Sequence, residues 1–104
     1  MGKRRFRFKW IEWNLAKVAS HGITAAEAEE VIRGNPDVAV GHSGAFVARG
    51  RTAAGRYLEV VFVWDEALEA EDAIGTPAEA VVFVITAYDM TNKRKRAHRR
   101  RRRR

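Results

Sequence analysis

The chain contains no cysteine. Disulfides, thiolate metal sites and thiol nucleophiles are excluded together, so packing must supply the stability and other side chains any chemistry. No apolar run approaches the ~20 residues that a membrane-spanning helix needs. The opening "MGKRRFRFKW" has neither the long apolar region nor the small-residue cleavage site of a secretory signal. These absences lead to the expectation of a cytoplasmic protein that makes no use of a membrane. Acids are missing from one region: Lys93 to Arg104 holds ten Lys or Arg and no Asp or Glu. Taking that +10 from the chain's +7 leaves residues 1–92 at −3. What is present is 104 residues, 46% hydrophobic and 10% aromatic, enough for one domain with a modest core. We place that domain at 1–92. The segment 93–104 has almost nothing to bury and is expected to be a basic tail, disordered or only partly helical beyond a first turn.

Alternation in "RFRFKW" puts Phe6, Phe8 and Trp10 on one side of a short strand and Arg5, Arg7 and Lys9 on the other. Ile11, Leu15 and Val18 then recur at helical spacing, and Gly22 is placed to end the helix with Ile23 against Val18. Thr24 and Glu27 form a capping-box pattern ahead of Ala28, Val31 and Ile32, which predicts a second helix to about Arg33, broken by Gly34, Asn35 and Pro36. Strand-like runs follow: "VAVGH" with "AFVARGR", then "RYLEVVFVW", then "AVVFVITAY". The four residues Thr52–Gly55 suit a hairpin, so Arg51 and Arg56 would flank one turn with their guanidinium groups close together. Residues 65–79 carry six acids and no base and read as a solvated loop. "AVVFVITAY", apolar on both faces, suits a central strand. The expected class is α+β: a short N-terminal strand, two helices, an antiparallel sheet, and a basic C-terminal tail that Thr91 would cap if helical.

In order, "WNLAKVASHGITAAEAEEVI", "RGRTAAGRYLEVVFV" and "VFVITAYDMTNKRKRAHRRR" resemble the BrnT toxins of bacterial toxin–antitoxin pairs over most of the chain. The matching positions are Asn14, Lys17, His21, Gly22, Ile23, Glu27 and Ala28, then Gly50 with Arg51 and Gly55 with Arg56, then Ile85, Thr86, Ala87, Thr91 and Arg94. The chain departs from the pattern at Tyr88, where an Arg is usual. The resemblance implies a RelE-like fold and a metal-independent endoribonuclease that inhibits translation. It also implies neutralisation by a cognate protein antitoxin, with a dimer within that complex as one arrangement, and no cofactor.

Such a ribonuclease makes the RNA 2′-hydroxyl attack the neighbouring phosphorus, which demands a proton acceptor, a proton donor for the leaving oxygen, and positive donors for the phosphorane. Arg51 and Arg56 are the candidates for the third task, because a guanidinium binds two phosphate oxygens and stays protonated. Imidazole is the side chain suited to proton transfer near neutral pH, so His21 could move a proton, with Lys17 one helical turn away. Tyr88 could donate a proton or stack on a base. Each has a plainer reading: edge-strand charges that discourage sheet pairing, a cation at a helix C-terminus, a tyrosine at the rim of the core. Trp10 and Trp13 read as core anchors. His42 and His98 show no metal-ligand spacing. Arg49, on the strand face of Arg51, and Lys93, Arg94, Lys95 and Arg96 are candidates to bind RNA phosphates, and the tail as a whole could recruit the ribosome. The enzymatic reading requires Arg51 and Arg56 to face the same open surface as His21. A non-catalytic nucleic-acid-binding module on the same scaffold is the alternative, favoured by Tyr88.

Overall fold

The computed structural model describes residues 6–65 and 80–102, so the acidic stretch 66–79 and Arg5 lie outside the described residues. In chain order the elements are β1 (Phe6–Lys9), α1 (Glu12–Ala19), α2 (Ala25–Arg33), β2 (Asp37–Val40), a 3-10 turn (His42–Gly44), β3 (Phe46–Arg51), β4 (Tyr57–Trp64), β5 (Ala80–Asp89) and α3 (Asn92–Arg102). They form an α+β fold around one five-stranded sheet of order β1-β5-β4-β3-β2. Strands β2 to β5 are antiparallel, as expected, while β1 joins β5 in parallel and makes the sheet mixed. β5 therefore lies between two partners in the sheet, and its Val82, Val84 and Ala87 are buried in the core with α1 and α2.

The local signals that place the helices are hydrogen bonds. Thr24 Oγ1 accepts from the Glu27 N–H at 3.1 Å while the Glu27 carboxylate accepts from the Thr24 N–H at 3.0 Å, a reciprocal cap worth about 1 kcal/mol. At the end of α1, Ile23 N–H bonds the Val18 carbonyl (3.0 Å) and Gly22 N–H bonds that of Ala19 (2.9 Å). Gly22 adopts φ 71°, the left-handed conformation that this six-to-one closure needs. Both helices then cover one face of the sheet: Val18, Ile23, Ala28, Val31 and Ile32 pack on Ala48, Leu58, Val60, Phe62, Val82, Val84 and Ala87. Each buried Val or Ile contributes about 1.5–3 kcal/mol.

The stripe on α1 differs from the one its sequence suggests. Val18 is buried, but Ile11 and Leu15 are exposed, and the second buried position is Asn14, fully enclosed. Asn14 accepts from the Ile11 N–H (2.7 Å) and donates to the carbonyls of Lys9 (3.0 Å) and Val84 (2.9 Å), tying the end of β1, the start of α1 and β5 together. A polar side chain occupies that site because it satisfies three main-chain groups that no leucine could. Trp13 is likewise no core anchor: it is 50% exposed and stacks on Phe83 at 6.2 Å. Trp10 is half-buried against the core, its indole N–H donating to Glu29 at 2.7 Å.

The basic segment also departs from expectation. Thr91 caps it through the Arg94 N–H (3.1 Å), and the helix continues to Arg102 rather than stopping after a turn. Its buried anchor is His98, 6% exposed, which packs edge-on against the Tyr57 ring (5.9 Å). Its Nδ1 lies 2.9 Å from Asp37 Oδ2, an electrostatic contact without the alignment of a hydrogen bond. Among the described residues no helix is long and apolar enough to cross a membrane.

Candidate functional site

The β3–β4 turn decides where its two arginines go. Thr52 N–H bonds the Arg56 carbonyl (2.9 Å), Arg56 N–H bonds the Thr52 hydroxyl (3.1 Å), and Gly55 closes the turn at φ 94°. Residue 57 re-enters the sheet opposite Arg51, so Tyr57 and Arg51 share a face and Arg56 belongs to the other. The expectation that the two guanidinium groups lie together is overturned by this parity. Arg56 faces the helical layer. Its Nε and Nη2 grip both oxygens of Asp89 (2.8 and 2.9 Å), and Nη1 reaches the Gly22 carbonyl (2.9 Å) and Glu27 (3.3 Å). With these four contacts nearly all of its five donor hydrogens are occupied. The Asp89 hydrogen bonds raise the Arg56 pKa, and Arg56 in turn holds Asp89 below the ordinary carboxylate value. Glu27 is held low first by the Thr24 backbone N–H and then by Arg56. Arg56 is a strut that locks the α1–α2 junction to the hairpin and to the end of β5.

Arg51 lies on the sheet face away from α1 and α2, exposed, its guanidinium carbon 5.8 Å from the Tyr57 ring centroid. Arg99 of α3 approaches the same ring at 5.4 Å. Arg51, followed by Arg99, draws the Tyr57 phenol below its ordinary pKa. These three, with Gly34, Gly50, His98 and Arg102, border an open pocket of about 430 Å³. Gly50 has a packing role: a Cβ there would come within 3.2 Å of Val31 Cγ1, so its absence lets α2 approach β3. Arg102 is partly engaged, its Nε 3.8 Å from Asp37 and its Nη2 bonded to the Asn35 carbonyl. Burial and the arginines Arg102 and Arg101 lower the His98 pKa, against the opposing pull of Asp37.

The remaining candidates fall in separate places. The His21 ring meets Tyr88 edge-on at 5.8 Å, bringing together two residues 67 positions apart in the chain. Both are exposed, and Tyr88 shares its sheet face with Arg51 through the cross-strand register Tyr88, Glu59, Arg49. Two strand spacings of ~4.8 Å separate β5 from β3, so Tyr88 and Arg51 stand on the same face with β4 between them. Lys17 is exposed on α1 with its ammonium 5.9 Å from the Trp13 ring. Arg49 is engaged by Glu59 at 3.0 Å, both side chains largely covered. On α3, Lys93 and Arg96 are exposed while Arg94 and Lys95 are half-buried, and Lys95 adds to the positive field at Asp89. Among the described residues no three His, Asp or Glu side chains are placed to hold a metal ion.

Sequence reasoning missed Tyr57, His98, Arg99 and Arg102 as one constellation. The only signal was the interruption of the basic run by Ala97 and His98, which gives α3 a small residue and a ring to press against the sheet. No family model, curated protein or solved structure matches the chain.

Proposed function

We propose that the protein is a cytoplasmic RNA-binding module. The observation that supports this reading is that a helix of almost unbroken positive charge is docked so that Arg99 and Arg102 meet Arg51 and Tyr57 around one open pocket. Guanidinium groups bind phosphate oxygens in pairs, and aromatic rings accept bases without regard to sequence. The affinity is electrostatic in origin: displaced counterions make log K fall with log salt by about 0.7 per phosphate contacted on a single strand. The test is RNA binding measured across salt. We expect a steep linear decline corresponding to several phosphates, and salt-indifferent binding or none would end the proposal.

A second reading is favoured by the His21–Tyr88 contact. On it, the protein is a BrnT-like toxin and metal-independent endoribonuclease with an antitoxin as its partner, but without the paired guanidinium groups expected from the sequence: Arg51 and Arg56 face opposite sides of the sheet, Arg56 is a strut, and the chemistry falls to His21 and Tyr88. His21 would take the 2′-hydroxyl proton and Tyr88 would return one to the leaving 5′ oxygen, while Lys17, set beside Trp13, would not belong to the pair. Incubation with RNA in EDTA separates the two. Fragments ending in a cyclic phosphate, abolished by a 2′-deoxy substitution at the cut, support the enzyme, and intact bound RNA supports the module. Rescue of growth by the product of an adjacent small reading frame tests the antitoxin.

A further inference from the structure

We propose that the pocket between α3 and the β3–β4 turn receives one unpaired nucleotide, its phosphate on Arg51 and Arg99 and its base on Tyr57, so that single strands are preferred to duplex. This deepens the RNA-binding reading and rests on it. A volume of about 430 Å³ is in the range of pockets that enclose small ligands, and far larger than one phosphate needs. The pocket also holds both surfaces a nucleotide requires. Tyr57 supplies a ring, half-buried and fixed from behind by His98, and the guanidinium groups at 5.4 and 5.8 Å supply the anion donors. Among the described residues Arg51 and Arg99 form no ion pair with a carboxylate, in contrast to Arg49 and Arg56.

The consequence for strand choice runs against simple electrostatics. A purely basic helix favours duplex, whose phosphates are denser and release more counterions per contact, about 0.9 against 0.7. A pocket that must receive a base cannot be filled by a duplex, whose bases are stacked and whose A-form major groove excludes side chains. The sign of the preference therefore reports whether the pocket is used.

The test is fluorescence anisotropy with an unstructured RNA of about a dozen nucleotides and the duplex of the same sequence, at one salt concentration. We expect the single strand to bind about tenfold more tightly, the value of one stacked base. Tyr57→Leu, which keeps apolar bulk against His98, should weaken the single strand about tenfold and the duplex by much less, removing the preference, and Tyr57→Phe should retain it. Equal or tighter duplex binding by the wild type, or Tyr57→Leu weakening both ligands alike, overturns the pocket while the RNA-binding reading stands. Absence of binding to either ligand overturns both.

Discussion

Arg51 and Arg56 flank one short turn and carry the same side chain, yet their surroundings are opposite. Arg56 is met by two carboxylates and a carbonyl from three other parts of the chain, whereas Arg51 meets an aromatic ring, another arginine and open space. The cause is the twofold periodicity of a strand. Tyr57 is the register partner of Arg51, so the residue before it must look the other way. A guanidinium surrounded by acceptors holds the fold together, and one left among cations is available to an anion from outside.

Replacing each arginine in turn should pull stability and binding apart. Arg56→Ala strands Asp89 and Glu27 without their cation and should produce the largest change, a loss of about 2 kcal/mol after allowing for partial solvent screening, or about 10 °C in Tm by thermal melting. Arg51→Ala should leave the melting temperature nearly unchanged. Acid should act on the same contrast, with a smaller effect. Asp89 and Glu27 have folded pKa values below their ordinary 3.8 and 4.5, so the unfolded chain takes up protons that the folded one refuses. Their contribution is fully present above those ordinary values and is lost as pH falls through the lower folded ones. Urea denaturation at about pH 6 and about pH 3.5 should therefore show a loss in wild type and in Arg51→Ala that is smaller in Arg56→Ala, which removes the Asp89 share but keeps the part of Glu27 set by the Thr24 N–H. The smallest effect belongs to binding. Arg51→Ala should weaken RNA affinity modestly and lower the salt slope by about 0.7, the share of one phosphate, and an unchanged slope would remove Arg51 from the interface.

Much of the fold is legible in local signals. Thr24 with Glu27, Gly22 with Ile23, and Gly55 are positions where one residue's backbone chemistry dictates the geometry, and the structure has the cap, the helix end and the turn where those residues put them. What escapes is whatever depends on long-range partners. Leu15 and Asn14 are indistinguishable by periodicity until β5 presents the Val84 carbonyl, which selects the amide and leaves the leucine outside. The candidate site suffers more from the same limit. Arg56 is separated from Asp89 by 33 positions, and Asp37 from His98 by 61, so neither partnership has a local signature. His98 in particular is hidden by its neighbours: a run of arginines reads as solvated, and the single ring inside it is what gives α3 a place to rest.

The parallel pairing of β1 with β5 has a consequence for how the chain assembles. The hairpins among β2, β3 and β4 and the junction of α1 with α2 are built from contacts near in sequence, which close quickly. β1 can pair only after β5 exists, and the Asn14 amide must wait for a carbonyl 70 residues downstream. During synthesis β1 thus precedes its partner strand: α2 can already meet Trp10 and Phe8 through Glu29 and Arg33, but until Val82 and Val84 have left the ribosome the edge of β1 and one Asn14 donor lack their partners, a window in which premature association competes with completion of the sheet.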